Sequence, residues 1–458
     1  MKRDPQKLKG LRWLAMGAGR SGKGAVRLMR LAGYETLWAD EKKAPEGAYS
    51  PVLFGPWRPE WLDGVDGVIW SPGIPLDHPL ALEARRRGLE VISEIELAWR
   101  FAPSPIIAIT GSNGKTTTTS WIAHLLRTSG RRAVECGNIG HAFSEVLADE
   151  EEGACERAEI YVVEVSSFQL ESIKRFNPQI ALLLNITPNH LDRYPGMDAY
   201  GAAKSRIAMN MGRGATLIVN GEDERCMEVA RRSGCAVAFF GRATQVMGGA
   251  LLDEGRLIWR PIFGEGQDVV WVNANELIPP GAHNIQNALA AAAAARLAGA
   301  EDEAIGRGLR DFKGVEHRIE FVSEVGGVRY FNDSKSTTVP ALEAALRSFA
   351  CPIVLISGGR DKKAPFGDVA ALVHERVAYV ILMGEAAPLI ASHWADLTPI
   401  TMVHGMKEAI ARARQLAHPG QVVLFSPACA SFDQYKDFEE RGRDFKRIVL
   451  LGSGGKSS

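Results

Sequence analysis

Short apolar runs alternate with amphipathic stretches along most of the 458 residues. Runs at 11–16, 106–109 and 353–357 have the length and composition of buried strands, whereas the stretches between such runs have helical periodicity. This alternation predicts an α/β protein with mostly parallel sheets. Because the chain is too long for one ordinary core, we expect several domains.

Two breaks in the pattern divide the chain into three predicted domains. Pro103 and Pro105 interrupt the pattern and predict a linker, because prolines disfavour both helix and ladder pairing. After an alanine-rich helix at 288–298, a third set of strands begins near Val315. We therefore predict domains at 1–100, 101–313 and 314–458.

Composition argues against several classes of protein, namely nucleic-acid-binding, disulfide-rich and membrane-inserted proteins. Lys plus Arg and Asp plus Glu both total 54, so no overall charge marks a nucleic-acid-binding protein. The six cysteines form no C-x-x-C pair, which argues against a zinc ribbon or a disulfide scaffold. The charged N-terminus and the absence of a long apolar run in the sequence predict no membrane insertion. We expect a cytoplasmic protein with reduced thiols.

The strongest local signal is the segment 109–118, ITGSNGKTTT, between an apolar strand and a helix. Glycines let a backbone wrap around phosphates, and the N-terminus of a helix directs N–H groups at an anion. Lys115 is suited to the β- and γ-phosphates, and the hydroxyl of Thr116 to Mg²⁺. Ile109 stands where the usual phosphate loop has its first glycine, so the loop is a shorter variant. A glycine turn with a solvated lysine would not require this agreement of strand, loop and hydroxyls.

Seven further motifs follow in order and cover almost the whole chain. With the phosphate loop they resemble the Mur ligases and folylpolyglutamate synthases, which are ATP-dependent amide-forming enzymes with three α/β domains. The motifs are GNIG (137–140), EVSSFQLE (164–171), NHLDRY (189–194), HNIQN (283–287), EHR (316–318), NDSKST (332–337) and SPACASFD (426–433).

Three of these motifs are most similar to the members of the family that add D-glutamate. The resemblance implies a Rossmann-like N-terminal domain, a central P-loop-type ATPase domain and a Rossmann-like C-terminal domain. It implies the substrates UDP-N-acetylmuramoyl-L-alanine (UDP-MurNAc-L-Ala), D-glutamate and ATP, a cytoplasmic monomer, and closure of the third domain during synthesis of peptidoglycan precursors.

The candidate metal ligands differ in how far the residues alone support them. Glu164 follows a buried strand, and a carboxylate at that edge of a sheet suits Mg²⁺. A lone histidine such as His190 is more often a packing residue, and Lys204 would ordinarily be a surface helix lysine. The resemblance implies that Thr116, Glu164, His190 and a carbamylated Lys204 hold two Mg²⁺ ions, and that Lys115, Glu164, His190 and Lys204 are catalytic.

The resemblance also assigns two sets of binding residues. ATP binding falls to Gly111, Ser112, Asn113, Gly114, Lys115, Thr116, Thr117, Asn284, Asn287, Arg318 and Asp333. Binding of the other substrates falls to Arg20, Ser21, Asp40, Ser71, Gly73, Asn138, Ser166, Gln169, Lys335, Thr337, Lys362, Ser431 and the backbone at Phe438. In the third domain Thr337, Lys362, Ser431 and Phe438 would hold the two carboxylates of D-glutamate, and Lys363 could take the place of Lys362.

The first domain supports a rival interpretation. Its segment 17–22 has the pattern G-x-G-x-x-G, and Asp40 follows about 20 residues later, as in dinucleotide-binding proteins. This pattern is also that of an NAD(P)-dependent enzyme. The ligase interpretation uses the same backbone donors for the diphosphate of UDP and assigns Asp40 to the uracil. The motifs are also compatible with a ligase for another amino acid, a folate-glutamating enzyme or a non-catalytic nucleotide sensor.

Overall fold

The computed structural model describes residues 8–42, 51–189, 193–246, 248–262, 266–362 and 364–451. His190 and Lys363 therefore lie outside the described residues. The chain forms two compact units. Unit 1 extends to Ala274 and includes Gln286–Leu309; unit 2 comprises Asn275–Ile285 and the chain from Arg310 onward.

Strands and helices alternate as predicted. The strands are β1 (Arg12–Met16), β2 (Glu35–Asp40), β3 (Val52–Phe54), β4 (Gly67–Trp70), β5 (Glu90–Ser93), β6 (Ile106–Thr110), β7 (Ala133–Gly137), β8 (Ile160–Glu164), β9 (Ile180–Leu183), β10 (Thr216–Asn220), β11 (Ala236–Arg242), β12 (Gly249–Asp253), β13 (Arg256–Arg260), β14 (Val269–Asn273), β15 (Glu320–Val325), β16 (Val328–Asn332), β17 (Ile353–Gly358), β18 (Val377–Met383), β19 (Ile400–Met402) and β20 (Val422–Phe425). The helices are α1 (Arg20–Leu31), α2 (Pro79–Arg86), α3 (Glu94–Phe101), α4 (Lys115–Thr128), α5 (Phe143–Glu151), α6 (Ser167–Leu170), α7 (Met197–Ser205), α8 (Glu224–Arg232), α9 (Ala282–Leu297), α10 (Asp302–Asp311), α11 (Val339–Arg347), α12 (Ala370–Arg376), α13 (Ala387–Trp394), α14 (Met406–Leu416) and α15 (Phe438–Leu451).

The N-terminal domain is built on a five-stranded sheet. Its order is β3-β2-β1-β4-β5, and all of its pairs are parallel. The β1-α1-β2 unit ends on Asp40, as the sequence predicts. Because β1 and β4 are neighbours, the turns after these two strands meet at the same edge of the sheet.

The central domain contains a nine-stranded sheet of order β14-β13-β12-β11-β10-β9-β6-β8-β7. The strands from β7 to β12 pair in parallel, and β13 and β14 add antiparallel strands at one edge. Since β6 lies between β8 and β9, the phosphate loop after β6 is flanked by the ends of those two strands. The predicted alanine-rich helix is α9, whose residues 288–295 are buried.

Unit 2 contains a six-stranded sheet of order β15-β16-β20-β17-β18-β19. Only β15 pairs antiparallel in this sheet, and apolar clusters cover both of its faces. The predicted α/β architecture with three domains is thus confirmed. Within the described ranges, no helix has both the length and the apolar composition required to cross a bilayer.

In unit 1, buried carboxylates join the N-terminal domain to the central domain. Glu96 on α3 is fully buried and accepts backbone N–H groups from Lys174, Arg175 and Phe176 at 2.8–3.1 Å. Arg100, one turn later, donates to the same carboxylate at 2.8 Å. A buried charge is tolerated only when it is paired and hydrogen-bonded, and Glu96 meets both conditions.

Removal of this carboxylate should therefore destabilise unit 1. We expect Glu96→Ala to lower the free energy of unfolding by about 3 kcal/mol or more, because three N–H groups lose their acceptor and Arg100 loses one carboxylate partner while it keeps Glu90. Urea unfolding followed by tryptophan fluorescence measures the change. Glu224→Ala, which breaks an exposed pair with Arg231, is the control and should move the midpoint very little. An equal effect of the two substitutions would contradict the role of Glu96.

Candidate active site

The phosphate loop turns sharply between β6 and α4. Gly114 has a φ of +82° at the start of α4, a conformation that favours glycine, and a Cβ there would lie 2.4 Å from Oδ1 of Asn287. Lys115 folds back over the loop, and its Nζ donates to the carbonyls of Gly111 at 2.9 Å and Ser112 at 3.0 Å. The loop therefore turns back on itself at the N-terminus of α4, where the free N–H groups of a helix favour an anion.

A polar segment after β9 packs against the phosphate loop, and its residues were not among the predicted site residues. Asn185 accepts the N–H of Asn113 through its side chain at 2.8 Å. Ser112 and Thr187 exchange two hydrogen bonds of 2.9 Å. On the opposite side, the Oγ1 of Thr118 lies 3.3 Å from Oδ1 of Asn287. These contacts fix the loop from two neighbouring elements, and Asn287 is one of the predicted ATP residues.

Glu164 is the last residue of β8, rather than the residue after the strand, and only 2% of it is exposed. Its Oε2 accepts the hydroxyl of Thr116 at 2.8 Å, and its Oε1 accepts the side-chain amide of Asn138 at 2.9 Å. The backbone N–H of Asn138 also donates to the Glu164 carbonyl at 2.9 Å. The carboxylate of Glu164 thus connects Thr116, a predicted metal ligand, to Asn138, which is predicted to bind substrate.

Lys204 is buried, contrary to the ordinary expectation for a helix lysine. It is 1% exposed on α7, and its Nζ donates to the carbonyl of Gly111 at 2.8 Å and lies 4.6 Å from the ring centre of Tyr200. Burial, and then the charge of Lys115, lowers the pKa of Lys204 to about 7. Among the described residues, no carboxylate lies within 4.0 Å of this ammonium.

Substrate residues predicted after β8 form a short capped turn. Ser166 and Gln169 make a capping box, in which the Gln169 side chain accepts the Ser166 N–H at 2.9 Å. Gln169 is almost fully buried. The turn therefore holds the residues beside Glu164 in a fixed backbone conformation.

The residues predicted to bind the uridine nucleotide lie at the carboxyl edge of the sheet in the N-terminal domain. Asp40 accepts the N–H of Ala18 at 2.7 Å and the N–H of Lys42 at 2.8 Å, so its carboxylate fixes the glycine turn. A Cβ at Gly17 would lie 2.6 Å from Cβ of Ser71, because the turns after β1 and β4 pack together. Arg20, at the start of α1, donates to the carbonyl of Gly140 in the central domain.

In unit 2, Asp333 is buried and holds a strained turn. It accepts the hydroxyl of Ser426 at 2.8 Å and the N–H of Ile319 at 3.2 Å, and burial raises its pKa to about 7. The exposed Arg318 lies between two residues of positive φ, His317 at +65° and Ile319 at +43°. Such strain concentrates at functional segments. The structure therefore places two predicted ATP residues at one turn.

In unit 2, a buried arginine that was not predicted contacts the backbone next to the residues predicted to bind D-glutamate. Arg441 is 1% exposed and donates to the carbonyls of Ser334 at 2.9 Å, Cys429 at 3.2 Å and Ala430 at 3.2 Å. Ser334 in turn donates to the carbonyl of Phe438 at 2.8 Å. Four other predicted residues belong to the same unit, of which Ser431 is buried, Thr337 is half-buried and Lys335 and Lys362 are exposed. Asn284 also belongs to unit 2, where its side chain donates to the carbonyl of Pro280 at 2.7 Å.

The oxygen donors of unit 1 fit a hard cation. The Glu164 carboxylate and the Thr116 hydroxyl are in contact beside the phosphate loop, and Mg²⁺ prefers oxygen ligands of this kind. In the described part of the chain no three His, Cys, Asp or Glu residues form a metal cluster. A magnesium site here would therefore draw on the hydroxyl, on phosphate oxygens and on groups beyond Glu164.

Family models match three consecutive parts of the chain. Residues 12–93 match the description "Mur ligase MurD-like, N-terminal domain", residues 109–295 match "Mur ligase middle domain", and residues 317–429 match "Mur ligase, glutamate ligase domain".

Two similar curated proteins cover nearly the full length. The chain is 40% identical over 448 residues to the UDP-N-acetylmuramoylalanine–D-glutamate ligase of Pelotomaculum thermopropionicum, covering 95% of this chain and 97% of the relative. It is 39% identical over 463 residues to the ligase of the same name from Salinibacter ruber, covering 97% and 99%.

Solved structures share the fold at lower identity. MurF from Acinetobacter baumannii superposes with a TM-score of 0.59 at 17% identity, covering 97% of this chain and 93% of that chain. UDP-N-acetylmuramate-alanine ligase MurC from Thermotoga maritima gives a TM-score of 0.55 at 19% identity, covering 97% and 100%.

Proposed function

The chain belongs to the Mur ligase family, and from this premise we propose that it joins D-glutamate to UDP-MurNAc-L-Ala with the hydrolysis of ATP to ADP and phosphate. The reaction makes a peptidoglycan precursor in the cytoplasm. The observation that carries the proposal is full-length similarity to D-glutamate ligases, together with a phosphate loop whose Thr116 contacts the buried carboxylate of Glu164.

The proposed reaction has two steps. The carboxylate of the L-alanyl group attacks the γ-phosphorus of ATP, the bond to the β-γ bridging oxygen breaks, and an acyl phosphate and ADP form. The amine of D-glutamate then attacks the acyl carbon, and the tetrahedral intermediate loses phosphate to leave the amide. The amine loses a proton as the amide forms, and that proton passes to the released phosphate or to solvent.

Residues of unit 1 would serve the phosphoryl transfer by electrostatics and positioning. Lys115 donates to two carbonyls of its own loop, and its ammonium would supply positive charge to the phosphates of ATP. Gly111 and Gly114 allow the backbone to approach the phosphates, and Thr117 follows at the start of α4. Thr116 and Glu164 would hold Mg²⁺, which when bound withdraws charge from the transferring phosphoryl group.

Lys204 would act as a carbamate in this site. Its neutral amine would add to carbon dioxide with loss of a proton, and the resulting anion would offer two oxygens as metal ligands. Three observations support the modification: the side chain is buried, it donates to the loop carbonyl of Gly111, and no carboxylate among the described residues lies within 4.0 Å of it. The resemblance assigns His190 to the same metal, and that assignment stays a prediction.

The N-terminal domain would bind the uridine diphosphate part of the substrate. Asp40 and the glycine turn form the edge where a diphosphate would meet backbone N–H groups, and Ser21, Ser71 and Gly73 belong to the same edge. The rival assignment of this edge to NAD(P) gives no role to the phosphate loop. Asn138, Ser166 and Gln169 would face the amino-acylated sugar.

Unit 2 would bind D-glutamate and part of ATP. Arg318 and Asp333 would contact the nucleotide, and Lys335, Thr337, Lys362, Ser431 and the start of α15 would hold the amino acid. A guanidinium such as that of Arg318 is suited to phosphate because its planar fork makes two parallel hydrogen bonds. A monomeric state remains part of the proposal.

One assay tests the function directly. Phosphate release should require UDP-MurNAc-L-Ala, ATP, Mg²⁺ and D-glutamate together, because the acyl phosphate consumes ATP and the amine releases phosphate. L-glutamate, D-alanine and L-lysine serve as competing amines, and dihydropteroate as the acceptor of a folate enzyme. Equal or faster turnover with another amine or acceptor would contradict the assignment of D-glutamate.

Substitution of Lys204 tests the carbamate. Lys204→Arg keeps the positive charge but does not carbamylate, so we expect kcat to fall about 100-fold or more in a protein that circular dichroism shows to be folded. Lys204→Ala should be equally slow and should recover part of its activity in acetate. Labelled carbon dioxide should give a carbamate signal in the wild type alone. Turnover of Lys204→Arg close to that of the wild type would rule out the carbamate.

A further inference from the structure

Arg193 contacts both domains of unit 1, and neither the motif assignments nor the phosphate loop gives it a role. Its Nη1 donates to the carbonyl of Pro72 in the N-terminal domain at 2.9 Å. Its Nη2 lies 3.3 Å from Oε2 of Glu171 in the central domain. Both side chains are only 18% exposed, so this pair is better shielded from solvent than an ordinary surface pair.

The Pro72 carbonyl belongs to the loop that follows β4. Ser71 donates its N–H to the carbonyl of Met16 at 3.2 Å, and Ile74 donates to the carbonyl of Ser71 at 3.1 Å. The same loop packs on Gly17, where a Cβ would meet the side chain of Ser71. Arg193 therefore reaches a loop that is already fixed against the glycine turn of the proposed nucleotide edge.

On the central-domain side, Arg193 begins a series of stacked groups. Its guanidinium lies 4.0 Å from the ring centre of Phe168, and that ring stacks on Tyr194 at 5.8 Å with an angle of 14° between planes. Tyr194 contacts Tyr200 at 5.3 Å, and Tyr200 lies beneath the Lys204 ammonium. The hydroxyl of Tyr194 also donates to Glu171 at 2.6 Å. Packed side chains thus run without interruption from the Pro72 loop to the buried lysine.

We propose that Arg193 is a positioning residue that fixes the 71–74 loop relative to the phosphate loop and Lys204. This inference rests on the proposed function, since the loop would hold the sugar nucleotide and Lys204 would belong to the site of phosphoryl transfer. The guanidinium uses its edge for Pro72 and Glu171 and its face for Phe168 at the same time. A lysine ammonium lacks the planar fork that can donate to Pro72 and Glu171 while its face lies on Phe168, so Arg193→Lys retains the charge and loses the geometry.

The test is the effect of Arg193→Lys on the two substrates separately. We expect the KM for UDP-MurNAc-L-Ala to rise about 10-fold or more, which corresponds to the loss of one charge-assisted hydrogen bond. The KM for ATP should stay within about twofold of the wild type, because the contacts that Arg193 makes with described residues do not involve the phosphate loop. Binding of UDP-MurNAc-L-Ala without ATP, measured by calorimetry, should weaken by the same factor.

Arg296→Lys is the matched control. Arg296 also lies over an aromatic ring, 5.2 Å from the centre of Trp259, and also pairs with a carboxylate, Asp302. It should leave both KM values unchanged. Glu171→Gln is the second variant for Arg193, since it removes the charge that orients the guanidinium without removing the guanidinium. It should raise the KM for the sugar nucleotide in the same direction, by a smaller factor.

The results separate this inference from the proposed function. A wild type that turns over UDP-MurNAc-L-Ala and D-glutamate, with an unchanged KM in Arg193→Lys, overturns the positioning role alone. Parallel changes in both KM values, or an equal effect of Arg296→Lys, overturn it as well, because they indicate a general structural effect. A wild type without this turnover contradicts the proposed function before any variant is compared.

Discussion

The burial of one carboxylate constrains much of the arrangement in unit 1. Glu164 ends a fully buried strand, where an isolated charge would be unfavourable, so its two oxygens require donors. The donors are Thr116 from the phosphate loop and Asn138 from the turn after β7. A single acid thereby ties together three elements that follow neighbouring strands. If Mg²⁺ bound here, the carboxylate oxygens of Glu164 would contact the metal in place of these hydrogen bonds. The residue that satisfies the buried donors is therefore also the proposed metal ligand.

The second constraint is the connection between the N-terminal and central domains. Glu96 holds backbone N–H groups of 174–176, Arg20 reaches Gly140, and Arg193 reaches Pro72. Each contact uses a backbone partner, so its geometry depends on the path of the chain more than on the identity of a side chain. In the proposed reaction, the L-alanyl carboxylate and the γ-phosphorus of ATP must be aligned at about 3–3.5 Å, and a misplacement of about 1 Å is costly. A firm connection between the two domains of unit 1 supplies that accuracy.

Much of the fold followed from the sequence because buried parallel strands are short apolar runs. The predicted strands at 106–109 and 353–357 match β6 and β17 to within one residue. Two of the strands that were missed, β3 and β15, lie at sheet edges and are partly exposed, so their apolar signal is weak. The interior strand β10 was missed as well, although its central residues are buried. The burial of Lys204 and Arg441 was not predicted, since a cation inside the protein depends on carbonyls that come from distant parts of the chain. For Arg441 a signal existed, because residues 438, 441 and 445 are spaced along one face of α15. The roles of the individual site residues remain predictions.

The most direct test of this account is the turnover of Glu164→Gln, which keeps the size of the side chain and removes its charge. The account predicts a folded protein that binds UDP-MurNAc-L-Ala as well as the wild type does, because the glutamine carbonyl can still accept the side-chain amide of Asn138 and the N-terminal edge is untouched. Phosphate release with D-glutamate and ATP should fall by about 100-fold or more, since the charge needed at the proposed metal position is lost. Turnover within about threefold of the wild type would contradict the account.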